Sequence, residues 1–78
     1  MEATIDTLSV ALRNRVKQAR TEAGLSQEQA AKLTGYTVSA YAKKELGYRS
    51  ITVQDIEIFC NIFKKNALYF FPSSSRYP

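Results

Sequence analysis

Gly35 stands between two helical segments of barely two turns each, and that arrangement restricts the fold more than any other feature. Upstream, Ser26 precedes Gln29 by three residues, the spacing of a capping box. The segment it opens, Gln27 to Leu33 or Thr34, turns Ala30, Ala31 and Leu33 inward. Downstream, Thr37 is placed to cap a helix from Val38 to about Leu46, which Gly47 ends. Helices this short are marginal alone and need tertiary support. Counting Gln27 as the first position, Ala31 falls at the fifth, Gly35 at the ninth and Tyr41 at the fifteenth. Ala31 must be small, because the next helix crosses close over it. Gly35 must tolerate a positive φ in a tight turn. Tyr41 packs the second helix down, so that its other face stays free.

The flanks are helical as well. Asp6 or Thr7 can cap a first helix, in which Leu8, Leu12, Val16 and Ala19 share one face. Arg13, Asn14, Lys17, Gln18 and Thr21 lie opposite, and Gly24 is the stop. Ser50 and Thr52 are the next capping candidates, with Asp55 favourable near a helix start. Val53, Ile56, Phe59, Cys60 and Phe63 carry the helical rhythm onward, and Lys64 and Lys65 suit its C-terminal end. Asn66 can cap a last short helix, Ala67 to Phe71, closed by Pro72. Nothing alternates with period two over a useful length. The expectation is an all-α chain of five helices over residues 7–71. A flexible N-terminus over 1–6 precedes it, and a Ser- and Pro-rich flexible tail over 72–78 follows.

Composition narrows the chemistry. With 78 residues there is room for one modest core, and 45% hydrophobic residues against 23% charged ones suit a folded domain. The chain has no His and a single Cys. It therefore lacks the base for Ser-His-Asp or Cys-His catalysis, the ligands for a thiolate–imidazole zinc site, and a partner for an internal disulfide. No enzyme activity, metal or cofactor is expected. The longest apolar run, Ala67 to Phe71, is far too short to span a bilayer, so no membrane partner is expected. Met1 to Val10 has no basic region before an apolar stretch, so no signal peptide is read and a cytoplasmic location is expected. Eleven Lys and Arg against seven Asp and Glu give a net charge of +4, compatible with a polyanionic partner but not decisive.

Four motifs in register resemble the λ-repressor-like (Cro/CI, XRE) helix-turn-helix proteins over roughly residues 8 to 71. They are Arg15 to Arg20 leading to Gly24, Leu25, Ser26 and Gln27; Ala30 to Gly35; Glu45, Leu46 and Gly47 with Arg49; and Ile56 to Phe71 with Asn66 and Tyr69 to Phe71. The chain departs from the pattern at Lys44, the eighteenth position, which is usually apolar; such a lysine is expected to run its ammonium out to solvent. Lys65 stands for a usual aliphatic residue and Ala30 for a usual leucine.

The resemblance implies a compact five-helix domain that binds an operator in double-stranded DNA as a homodimer, with its third helix in the major groove. Val38, Ser39 and Lys43 match the base-reading positions, with Thr37 just before them. Phosphate contacts are expected from the start of the second helix at Gln27, where free N–H groups suit an anion, with Arg15 and Lys17 before it and Tyr48 and Arg49 after the third helix, whereas Arg13, Lys32 and Arg76 read as solvated. Arg20 and Glu45 match a structural ion pair joining the first helix to the end of the third; the plain alternative is two solvated charges. Phe59 and Phe63 read as core, and Cys60 as a packing residue. Tyr69, Phe70 and Phe71 are candidates for a dimer interface, or else for closing the monomer core. The functional expectation is a transcriptional regulator, repressor or activator. The alternative is a protein-interaction module of the same fold, such as an antitoxin bound to a toxin or an adaptor for another regulator.

Overall fold

A computed structural model describes the backbone of residues 5–71 and the side chains from Leu8 onward. Four α-helices and one 3-10 turn follow in order: α1 (Ile5–Glu22), α2 (Gln27–Thr34), α3 (Val38–Leu46), α4 (Val53–Phe63) and the 3-10 turn Ala67–Phe70. No strand occurs among the described residues. The expected fifth helix is thus a single 3-10 turn, too short to be a further layer. Helix α1 begins at Ile5, so Asp6 and Thr7 lie inside its first turn and not ahead of it. Residues 1–4 and the tail 72–78, with Arg76, lie outside the described residues.

The helix starts follow from local chemistry. Ser26 Oγ accepts from the Gln29 N–H, and the Gln29 carboxamide accepts from the Ser26 N–H in return. Thr52 and Asp55 make the same reciprocal pair at α4. Thr37 caps α3 through the Ala40 N–H, and Asn66 caps the 3-10 turn through the Leu68 N–H. Each cap satisfies a donor that the helix cannot satisfy itself. Gly35 takes φ +86° and returns its N–H to the Ala31 carbonyl, which sets the turn between α2 and α3.

The core is Val16 and Ala19 of α1, Ala30 and Ala31 of α2, Tyr41 of α3, Ile56, Phe59 and Phe63 of α4, and Phe70. Phe59 is its hub. Its ring lies 6.2 Å from Tyr41 edge-on, 5.6 Å from Phe63 stacked and 6.3 Å from Phe70. Cys60 is half-buried against this core, and burial pushes its thiol pKa up.

Several inward expectations are corrected. Leu33 is 55% exposed, Val53 81% and Leu8 56%. Each sits on the apolar side of its own helix, but among the described residues no neighbouring element covers that end. Phe70 is fully buried in the monomer and so cannot serve a dimer interface. Lys44 does not reach into solvent, and Arg13 is half-buried, not solvated. Both take part in the arrangement around α3.

Candidate nucleic-acid interface

Helix α3 buries Tyr41 and Glu45 and leaves Val38, Ser39, Lys43 and Leu46 exposed. Because residues three and four apart share a helix face, Ser39, Lys43 and Leu46 lie opposite the buried pair, whereas Val38, three residues before Tyr41, stands on the pair's own side and is exposed at the helix start. Thr37, also exposed, precedes the helix as its N-cap. Ser39 and Lys43 thus share one accessible face, and Thr37 and Val38 are exposed at the helix start.

The buried side of α3 is fastened at several points. Arg20 of α1 meets Glu45 side by side: Nε donates to Oε2 at 2.7 Å and Nη2 to Oε1 at 3.3 Å. The third guanidinium nitrogen donates to the Leu25 carbonyl at 2.8 Å, tying the α1–α2 connection to the same arginine. Tyr41 OH and Gln27 Nε2 also donate to Glu45, at 2.6 and 3.0 Å. Burial pushes the Glu45 carboxyl up, but donors from Arg20, Tyr41 and Gln27 outweigh it and hold it below the ordinary carboxylate range. Burial, reinforced by the Glu45 carboxylate beside it, pushes the Tyr41 phenol well above its usual value.

A second carboxylate fastens the other flank. Asp55, buried at the start of α4, accepts from Lys44 Nζ at 2.8 Å, from the Thr52 N–H at 2.8 Å and from the Tyr36 hydroxyl. Lys44 also donates to the Ser50 carbonyl at 2.9 Å, and its ammonium lies 5.6 Å from the Tyr36 ring centre. One carboxylate therefore joins the turn before α3, the helix itself and the connection after it. Burial raises the Asp55 pKa, and the three donors more than reverse this. The expected snorkelling fails because a partner lies within reach of the lysine stem.

Arg13 secures the C-terminal end. Its Nη1 donates to the Leu46 carbonyl at 3.2 Å. The guanidinium lies where a side chain on Gly47 would begin, 2.7 Å from the ideal Cβ position. A cation at a helix C-terminus is favoured by the macrodipole, which explains why this arginine leaves solvent.

The remaining expected contacts divide. Lys17, Tyr48 and Arg49 are exposed. Arg15 is half-buried with its guanidinium 5.0 Å from the Tyr69 ring centre, and Lys65 Nζ lies 4.4 Å from the same ring. Tyr69 is thus largely engaged within the monomer, packed edge-on against Phe70. Phe71 is 41% exposed, and Leu68 beside it is 78% exposed. The Gln27 carboxamide is engaged with Glu45, and Glu28 in the same first turn is an exposed negative charge.

Sequence reasoning missed the parts that Arg13, Tyr36 and Asp55 play in fastening α3. For Asp55 the signal was a charged residue at a usually apolar position, Lys44, with an acidic residue nearby. Arg13 and Tyr36 had no comparable signal.

No helix among the described residues is long and apolar enough to cross a membrane. A search of curated proteins finds no significant match. The family model described as Helix-turn-helix matches residues 16–70, which takes in the Arg20–Glu45 pair, the Gly35 turn and the whole of α3 and α4. The span and its geometry agree, and the chain belongs to the helix-turn-helix family of XRE/Cro-CI type, a family of DNA-binding regulatory domains.

Proposed function

We propose that the protein is a sequence-specific transcriptional regulator that binds an operator in double-stranded DNA as a dimer, with α3 in the major groove. The observation that carries this is the contrast between the two faces of α3. Its inner face is fastened to α1 through Glu45 and to α4 through Lys44, while Val38, Ser39 and Lys43 remain open. A short helix held at fixed orientation with one accessible face suits groove insertion. Thr37, Val38, Ser39 and Lys43 are the proposed base readers. Arg15, Lys17, Tyr48, Arg49 and the N-terminus of α2 at Gln27 are the proposed phosphate contacts. Phe71, with Leu68, is the proposed dimer contact, in place of Phe70. Two recognition helices then address half-sites about 34 Å apart.

Exposed Leu33 and Val53 favour a second reading, a protein-interaction module that docks a toxin or another regulator. Mobility shift with a duplex selected from a random library separates the two. The regulator binds the selected duplex far more tightly than random duplex, and log affinity falls by about 0.9 per log unit of salt for each phosphate neutralised. An absence of discrimination at low salt, with one stoichiometric protein captured instead, selects the interaction module.

A further inference from the structure

We propose that α3 reads thymine 5-methyl groups on neighbouring base pairs through an apolar strip of Val38, Ala42 and Leu46, with Leu46 a specificity-determining residue. This rests on the DNA-binding reading above and names the chemistry that the same face recognises.

The strip follows from helix geometry. Successive residues turn by about 100° around the axis. Buried Tyr41 and Glu45 mark the inner line, and Ser39 and Leu46, seven residues apart, mark the line opposite. Lys43 lies on one side of that outer line and half-buried Ala42 on the other; Val38, Ala42 and Leu46, four apart, follow one ridge that slants from beside Glu45 at the helix start to the outer line at Leu46. Leu46 is 60% exposed and Val38 45%, so both apolar side chains are presented outward.

Chemistry then narrows the target. The sequence of α3 contains no Asn, Gln or Arg, so of the side chains that pair bidentately with a purine only lysine is present, with Lys43 exposed and able to meet guanine. Its single carboxylate, Glu45, is buried and already accepts from Arg20, Tyr41 and Gln27. Only the Ser39 hydroxyl and the Lys43 ammonium remain as polar readers on the strip. The apolar side chains match the one apolar group that the major groove displays, the thymine C5-methyl. From Val38 to Leu46 the strip runs about 12 Å, long enough to pass roughly three base-pair steps.

Leu46 is also held in place, although it is the last residue of its helix. Arg13 donates to its carbonyl at 3.2 Å, and the N–H groups of Gly47 and Tyr48 both return to the Lys43 carbonyl at 2.9 Å. A frayed terminus could not discriminate a methyl group; this one is tied to α1. Lys43 on one flank and Arg49 beyond the end give the strip a cationic border, which favours a duplex over an apolar protein surface.

The test replaces thymines of the selected duplex one at a time by deoxyuridine, which removes only the methyl group. Each contacted methyl should cost about fourfold in affinity, and losses at neighbouring positions should multiply. Leu46→Ala should weaken binding to the thymine duplex. At one position it should erase the thymine–deoxyuridine difference, while the differences at the other positions persist. Tight binding of the selected duplex with no loss at any deoxyuridine overturns this inference and leaves the DNA-binding reading intact. A loss that persists undiminished in both Leu46→Ala and Val38→Ala also overturns it, because the methyl then acts through DNA shape. Failure to select any duplex overturns both readings.

Discussion

Lys44 Nζ lies 2.8 Å from Asp55 Oδ2, with the two side chains only 13% and 7% exposed. A lysine at a position that normally packs apolar surface is therefore accommodated by a buried carboxylate across the α3–α4 boundary. The pair lies on the opposite flank of α3 from Arg20 and Glu45. Between them the two pairs hold α3 to α4 on one side and to α1 on the other.

The Lys44–Asp55 pair should show strong energetic coupling. Lys44→Met and Asp55→Asn are each expected to destabilise, since each leaves a buried polar group short of a partner. The double variant should lose less than the sum. Urea unfolding of the four proteins checks this, with an expected coupling of about 1–3 kcal/mol.

Arg20→Met strips a largely buried Glu45 of its bidentate cation. Breaking such a pair typically costs about 3–5 kcal/mol, and in a domain of this size each kcal/mol lowers Tm by about 4–8 °C. Calorimetry should therefore find a Tm lower by tens of degrees or no transition at all. The loss is softened to the extent that Tyr41 and Gln27 still donate to the carboxylate.

Acid should unfold the protein from a defined direction. Glu45 and Asp55 both have folded pKa values below their ordinary ones, so the unfolded chain binds their protons more readily. Their contribution is fully present above the ordinary carboxylate range, about pH 4, and is lost as pH falls through the lower folded values. Chemical denaturation across pH 7 to 2 should give flat stability in this contribution down to about pH 5 and a steep fall below pH 4. In Asp55→Asn the fall should be shallower.

The glycines at the two ends of α3 should respond differently to alanine. Gly35 has φ +86° with open space around it, and Gly47 has φ +92° with the Arg13 guanidinium on its Cβ position. Both alanines carry the left-handed strain of about 1–2 kcal/mol. Gly47→Ala must in addition move Arg13 off the Leu46 carbonyl. Unfolding measurements should show Gly47→Ala the worse of the two, and Arg13→Ala should reduce the difference.

On DNA, reading and phosphate contacts should separate. Lys43→Ala is expected to change the sequence that selection enriches. Lys17→Ala is expected to weaken all duplexes alike and to reduce the salt slope by about one.

Much of this fold is legible in the chain because its instructions are local. Ser26, Thr37, Thr52 and Asn66 each announce a helix start through a side chain that reaches an N–H two or three residues away. Tyr41 and Phe59 follow from periodicity. What periodicity cannot give is the neighbour. Leu33 and Val53 lie on the apolar side of their helices yet remain open, because coverage depends on how far another element extends. The interactions around α3 have the same character. Arg13 reaches a carbonyl 33 residues away with no pattern that names it, and Lys44 reaches a carboxylate 11 residues away, where its place at a usually apolar position signals only that an acidic partner is needed.

The account depends on the outer face of α3 being the surface that meets the duplex. An amide chemical-shift titration of isotope-labelled protein with the selected duplex tests this directly. The largest changes should fall on Thr37 to Leu46, with a second group at the start of α2 and around Tyr48 and Arg49. Changes confined to the 3-10 turn and the outer side of α4, with α3 unaffected at saturation, would contradict it.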